Sequence, residues 1–408
     1  MADVSVLEVQ LYGVSIGTLT HLPGDRSLFA FNDDYVADEN RPILSLNFKD
    51  ELGELITDFK PVQTRVMPFF SNLLPEGPMR EYLATRAEVK SAREFFLLWA
   101  LGMDLPGAVT LMPADGEAWP QIDDEQDHHT QQETSENVLR FSLAGVQLKF
   151  SAIAKARGGL TIPARGIGGS WIVKLPSTQF QGVPENEFSM MTLAQQIGMD
   201  VPTVKLIDVD EIENLPEEMS TVKGRALAIQ RFDRLDDGQA VHIEDFAQVF
   251  GVYPADKYKK ASARNIAQVI SGEGGDVDVV EFIKRLTFNT LIGNGDMHLK
   301  NWSLIYADRQ NAALAPAYDF VSTIPYIPNE TAALNFSRTK RFDEFSQDEL
   351  SHLASKARLP GKLVLDTAQE TVSVFHERWS AERKNLPMRP EVVDAIEGHL
   401  KQIPIAKS

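Results

Sequence analysis

The sequence predicts an α+β fold of two unequal lobes, one rich in strands and one mostly helical, behind an additional N-terminal subdomain. Three observations predict it. Short runs of alternating polar and apolar residues, punctuated by Gly and Pro, fill residues 7–31 and return between 140 and 230. After Asp245 the apolar spacing turns mostly helical and stays so to the C-terminus. Between Ala114 and Leu139 stand eight acidic residues and no lysine or arginine, the composition of a linker or long surface loop. The expected divisions are therefore a subdomain at 1–113, an acidic linker at 114–139, a strand-rich lobe at 140–245 and a helical lobe at 246–408.

In chain order, LEVQLY, VSIGTL and SLFAF read as strands, the first two parted at Gly13 and the last two at Pro23-Gly24. AEVKSAREFFLLWALG reads as a helix capped at Gly102, and GAVTLM as the strand that closes the subdomain. Past the acidic stretch, RFSLAG, VQLKFSA and SWIVKLP are short strands separated by turns. A helix begins near Pro184, and Phe188, Met191, Ala194 and Ile197 share one face of it, which makes them core. TVKLID and RALAIQRFD are two more strands. The helical VVEFIKRLTFNTLIG then runs into GNGDMHLKN, followed by the strand-like WSLIY and AALAPA. A helix stop needs only a glycine or asparagine at its cap; two glycines, two asparagines, an aspartate, a histidine and a lysine in nine residues are a surplus that calls for a function.

Composition narrows that function. The formal net charge of −18 disfavours autonomous nucleic-acid binding, which needs a basic footprint to displace phosphate counterions. KYKK (Lys257 to Lys260) and SRTKR (Ser337 to Arg341) are expected to be solvated faces. With no cysteine, disulfides, thiolate zinc sites and a cysteine nucleophile are all excluded. Neither a signal peptide nor an apolar run of membrane-spanning length is present, so the expected compartment is the cytoplasm.

The polar residues fall into an order that phosphoryl transfer from ATP explains, because that reaction asks a protein mainly to place groups and neutralise charge. Asp296 and Asn301 have the D-x-x-x-x-N spacing of a kinase catalytic loop, a carboxylate for the attacking hydroxyl and an amide oxygen for magnesium. Asp319, in AYDF, follows a hairpin that returns the chain toward the same metal, and magnesium accepts few protein oxygens beside nucleotide phosphates. Lys174, on the apolar strand SWIVKLP, needs a paired charge, and Glu187 in the next helix is the natural partner. The turn at Ala144-Gly145 offers backbone amides to phosphate. Each member has a plainer alternative: Asp296 a loop cap, Asp319 a turn former, Lys174 an edge-strand lysine with its head in water, Glu187 a helix N-terminal charge, His298 a local hydrogen-bond partner. The ordered set is the signal. Departures from the common kinase pattern are Gly295 where arginine is usual, Val321 in place of the glycine of D-F-G, and one glycine in the phosphate loop.

FSLAGVQLKF, WIVKLP, the ENEF helix, ALAIQRFDR, GNGDMHLKN and AYDF, in that order, resemble the HipA family of bacterial serine/threonine kinases, the toxins of HipBA toxin-antitoxin pairs. NLLPEGPMREYL and GAVTLMP resemble that family's N-terminal subdomain. The resemblance implies a protein-kinase-like fold, Asp296 as catalytic base and Asn301 and Asp319 as magnesium ligands, with Lys174, His298, Lys300 and Tyr318 at the ATP. It implies that Ala144, Gly145, Val146, Gln147, Leu148 and Lys149 form the loop over the nucleotide and that Gln230, Arg231 and Phe232 border the adenine. Gln230 stands where a glutamate is found in the best-known relative. It further implies self-phosphorylation at Ser142, and a phosphate there would add about −2 charge beside the triphosphate and expel the loop. The implied substrate is an aminoacyl-tRNA synthetase such as the glutamyl enzyme, whose inactivation stalls translation and brings dormancy. The implied partner is a HipB-like DNA-binding antitoxin through which operator DNA is reached. Two rival readings are a metal-dependent phosphohydrolase built on the Asp296–His298 pair and a catalytically silent ATP-binding co-repressor. His352, His376 and His399 sit in amphipathic helical stretches without metal motifs, against the hydrolase.

Overall fold

The computed structural model describes residues 5–114, 149–154, 160–162, 169–177, 179–219 and 221–407. The acidic linker past Ala114, Ser142 and the expected phosphate loop Ala144 to Leu148 lie outside the described residues.

The N-terminal block is an antiparallel sheet of β1 (Val6–Leu11), β2 (Val14–Leu22), β3 (Arg26–Phe31), β4 (Val62–Gln63) and β5 (Val109–Pro113), in spatial order β4-β3-β2-β1-β5. Alternation does what it should: Leu7, Val9 and Leu11 of β1 are buried and the residues between them less so. They pack on a phenylalanine cluster, Phe29, Phe48, Phe69 and Phe70, supplied by β3, by the segment that follows it and by helix α2. The helices here are α1 (Asp33–Ala37), α2 (Pro68–Leu73), α3 (Gly77–Arg86) and α4 (Glu94–Leu101). The helix expected over 87–102 begins only at Glu94, because α3 ends just before it, with Glu88 in the left-handed region at φ 54° and Val89 bonding back to Ala84. Gly102 does close α4, for a steric reason: a Cβ there would lie 2.4 Å from the carbonyl oxygen of Leu111.

The second sheet holds β6 (Lys149–Ala154), β7 (Leu160–Thr161), β8 (Trp171–Lys174), β9 (Val204–Asp208), β10 (Ile212–Glu213) and β11 (Arg225–Gln230), in order β10-β7-β6-β8-β11-β9. Helix α5 (Val183–Gln196) packs on β9 and β11 and, from its other side, on helix α10 (Gly361–Glu382). The face read from sequence is inside, with Met191 and Ala194 fully buried and Phe188 and Ile197 partly so. Met190 and Leu193 are equally buried, since α5 is covered from two directions.

The remaining lobe is helical: α6 (Phe246–Val249), α7 (Ala263–Glu273), α8 (Gly275–Leu291), α9 (Gln347–Ala357), α10 and α11 (Pro390–Leu400). Its small sheet of β12 (His242–Asp245), β13 (Ser303–Tyr306) and β14 (Ala313–Leu314) frames the polar loop that follows α8. One hydrophobic core runs from Met190 of α5 through α8 to Ile396 of α11, so the lobes share packing.

Glu244 of β12 ties the N-terminal block to this lobe. Fully buried, it accepts hydrogen bonds from Ser45 Oγ (2.5 Å), Leu46 N (2.9 Å) and the Tyr306 hydroxyl. No cation is among these partners, and burial pushes its pKa up to about 7 against the hydroxyl and amide donors that lower it. A carboxyl raised in the folded state stabilises below its unfolded value near 4.5, and that contribution is lost as pH rises toward 7. Wild type is therefore expected to lose about 3 kcal/mol relative to Glu244→Gln across that window. Urea unfolding at pH 5 and pH 8 checks it, and a pH-independent difference between the two proteins would refute it.

Candidate nucleotide and catalytic site

Strand β8 delivers Lys174 into a place shielded from solvent, 3% exposed, where an unpaired ammonium is prohibitively costly. Two carboxylates answer it: Lys174 Nζ donates to Glu187 of α5 and to Asp319. Burial alone lowers the lysine's pKa, and Asp319 and Glu187 together more than reverse this, holding it above the ordinary value. Asp319 is held well below the usual carboxylate range, burial being outweighed by Lys149 and Lys174. Burial, with Asp319 close by, pushes Glu187 up. Lys149 is the register partner of Lys174 across β6 and β8, and its Nζ reaches Asp319 Oδ2 at 3.5 Å. Asp319 adopts the left-handed region at φ 57°, a conformation aspartate tolerates better than most residues. Phe320 anchors it from behind, its ring 5.1 Å from that of Phe288 in α8.

The GNGDMHLKN surplus is spent on holding an irregular loop in shape. Asn294 Nδ2 bonds Asn289 Oδ1 (2.9 Å) and the Asp319 carbonyl (3.2 Å), while its Oδ1 accepts the Asp296 amide (3.0 Å), so one side chain joins both aspartates. Asn301 Nδ2 bonds the Asp296 carbonyl at 2.8 Å, which turns its oxygen into the remaining acceptor. Thr323 Oγ1 accepts the Gly295 amide at 2.8 Å. The side chain of Glu330 bonds Thr323 and lies over Gly295, where a Cβ would come within 2.3 Å of its Cδ. A larger residue before Asp296, where kinases usually have arginine, would displace the Glu330 side chain from this position.

Asp296 Oδ1 accepts the Tyr258 hydroxyl at 2.6 Å. His298 is buried, its ring centroid 4.9 Å from that of Tyr258, and among the described residues neither of its ring nitrogens has a hydrogen-bond partner. Burial, then Lys257, lowers its pKa well below the usual histidine value, so the ring is neutral. Lys300, expected at the phosphates, is turned toward the N-terminal block: its Nζ meets Glu76 Oε1 at 2.9 Å and the Asn72 carbonyl at 3.1 Å. Tyr318 donates to the Lys300 carbonyl (2.9 Å), and its ring lies 5.8 Å from that of Phe232. Gln230 ends β11 and Arg231 follows it, but the Arg231 guanidinium is buried in ion pairs with Asp233 and Asp104, so only its main chain is left to border a base.

Sequence reasoning misses several of these residues. KYKK reads as a solvated basic patch; instead Lys257 is buried on Glu76 (2.8 Å) and Tyr258 holds Asp296, leaving only Lys259 and Lys260 exposed. Glu330 lies in no motif, Glu76 lies in NLLPEGPMREYL with no role read for it, and only the Tyr in KYKK hints at a contact. SRTKR is an exposed patch as expected, paired with Asp348, Glu349, Asp343 and Glu344. Among the described residues no three His, Cys, Asp or Glu side chains gather into a metal site. The donor set of one carboxylate, Asp319, and one amide oxygen, Asn301, instead fits magnesium, which completes its shell with water and phosphate.

Comparison with known proteins adds the lineage. Residues 7–112 match the model for the HipA N-terminal domain, and residues 141–379 match that for the HipA-like C-terminal domain. Y4dM of Sinorhizobium fredii, named as a candidate kinase, is 61% identical over 98% of this chain and 97% of its own length. The serine/threonine-protein kinase toxin HipA of Shewanella oneidensis is 25% identical over 80% of this chain and 77% of its own length. A solved complex of Shewanella oneidensis HipA, HipB and operator DNA contains a chain with a TM-score of 0.74 at 21% identity, covering 98% of this chain and 96% of that one, which establishes a common fold.

The buried ion pairs make a sharp stability test. Lys174→Met removes the ammonium shared by Glu187 and Asp319, leaving Asp319 only the longer contact to Lys149, and is expected to cost about 3 kcal/mol or more. The urea unfolding midpoint checks this, and an unchanged midpoint would remove Lys174 from its role as the keystone.

Proposed function

The chain belongs to the HipA family, and on that premise we propose that it is a toxin-type serine/threonine protein kinase that uses ATP and magnesium. One observation carries the reading: Lys174, Glu187 and Asp319 form a buried charge cluster, and Asn294 links Asp319 to the loop that holds Asp296 and Asn301. A lysine on a strand, a glutamate on the next helix and an aspartate followed by phenylalanine repeat the kinase arrangement for gripping a triphosphate.

The serine hydroxyl oxygen forms a bond to the γ-phosphorus as the bond from phosphorus to the ADP oxygen breaks, and Asp296 takes the hydroxyl proton. Tyr258, donating to Asp296 Oδ1, fixes the orientation of that carboxylate. Lys174 offsets phosphate charge from one side, and the neutral His298 lines the loop without adding charge of its own. Asn301 and Asp319 would hold magnesium, which supplies Lewis-acid neutralisation of the phosphates. Glu187 acts by keeping Lys174 charged and in place.

By kinship with HipA, the protein substrate is an aminoacyl-tRNA synthetase such as the glutamyl enzyme, with translation arrest and dormancy as the result. Ser142, outside the described residues, is the site of self-phosphorylation. A HipB-like antitoxin is the partner, a reading supported by the fold shared with a HipA chain that was solved together with HipB and operator DNA. With a net charge of −18, contact with operator DNA goes mainly through that partner. The described helices include none long and apolar enough to cross a membrane, and the expected compartment remains the cytoplasm.

Incubation with Mg-ATP followed by intact-mass measurement tests the reading: one phosphoryl group gained, mapped to Ser142. Asp296→Asn is expected to slow transfer by roughly two to four orders of magnitude, the reach of a general base. ATP consumption without modification would favour a phosphohydrolase, and binding without turnover a silent co-repressor.

A further inference from the structure

The turn that leaves α4, Gly102 to Gly107, does more than enter β5. Asp104 Oδ2 accepts a hydrogen bond from Ser151 Oγ at 2.8 Å, and Asp104 Oδ1 accepts one from Arg231 Nη1 at 2.9 Å. Ser151 lies on β6 and Arg231 directly after β11, and these strands flank β8, which bears Lys174. A single carboxylate from outside the lobe thus spans its three central strands. The surroundings form a closed charge cluster. Arg231 makes a two-point contact with Asp233 (2.9 and 2.8 Å), and the Gly107 amide donates to Asp233 at 2.8 Å. Arg234 donates to the carbonyls of Gly107 (2.8 Å) and Leu105 (3.0 Å). Two guanidinium groups balance two carboxylates, with Arg231 and Asp104 at 7% and 11% side-chain exposure.

What Asp104 holds is adjacent to everything the nucleotide would touch in this lobe. Ser151 is two residues from Lys149, whose ammonium contacts Asp319. Arg231 sits between Gln230 and Phe232, the residues read as the adenine border. The strand ladders through β8 set the gap between those two places, and Asp104 braces it with one carboxylate that bonds both sides.

We propose that Asp104 is a positioning residue through which the N-terminal block sets the affinity of the neighbouring lobe for ATP. The proposal rests on the kinase reading, and its effect falls on nucleotide binding and not on the chemical step, because neither Asp296 nor Asn301 touches this cluster in the contacts that define it. Asp104→Ala removes the shared acceptor of Ser151 and Arg231, leaving the strand ladders, the Arg231–Asp233 pair and a longer Arg231–Ser151 contact (3.4 Å) to hold the two places. Asp104→Asn retains an acceptor for Ser151 while removing the charge opposite Arg231.

The test is titration of full-length protein with a fluorescent ADP analogue in magnesium, together with KM and kcat for ATP. The expected result is a Kd and KM raised about tenfold in Asp104→Ala, with an intermediate rise in Asp104→Asn and kcat within about threefold of wild type. Should Asp104→Ala fail to fold, Asp104→Asn carries the same comparison. Unchanged Kd and KM with a lowered melting temperature, or a fall confined to kcat, would overturn the proposal and leave Asp104 as structural glue. A wild-type protein that binds no nucleotide overturns the kinase reading first, and this inference with it.

Discussion

The ammonium of Lys174 is the group on which the rest of the structure depends. Placed on a central strand and shielded from solvent, it is tolerable only if carboxylates come to it. The two that do come from different parts of the chain, Glu187 from the helix that joins the lobes and Asp319 from the segment past the β13–β14 hairpin. Satisfying one charge therefore fixes β8, α5 and the AYDF segment relative to one another. The same arrangement holds the Asp319 carboxyl well below the usual carboxylate range, which is the ionised form that the proposed magnesium role requires.

Around that cluster the loop between α8 and β13 is irregular backbone in a buried setting, and every polar group in it needs a partner. The asparagines and Thr323 supply many of them, which is why the stretch is so rich in amides. The N-terminal block completes the enclosure from the other side. Its Glu76 neutralises Lys257 and Lys300, its Ser45 and Leu46 bind Glu244, and its Asp104 grips Ser151 and Arg231. This block is thus a structural participant in the site and not an appendage to it.

Much of this is legible in the sequence where the signal is local. Alternation locates β1, β2, β3, β9 and β11, and the five-residue spacing of Asp296 and Asn301 locates the loop. The need to pair Lys174 points correctly to Glu187, because a buried charge on a strand leaves few choices nearby. What stays hidden depends on distant contacts. Glu76 meets Lys257 across 181 positions of sequence, and no periodicity announces such a pairing. KYKK looks like a solvated patch because composition cannot show that Lys257 has a carboxylate waiting for it. The start of α4 is misplaced because AEVKSARE has good helix formers, and only the competing end of α3 breaks the run.

The central claim is that Asp319, Asn301 and Lys174 make one nucleotide-magnesium site. Calorimetric titration of ADP into wild type and Asp319→Asn, each with and without magnesium, tests it most directly. Wild-type binding that depends on magnesium, and a variant in which that dependence is gone, are the expected results. Equal, magnesium-independent binding by both proteins would contradict the claim.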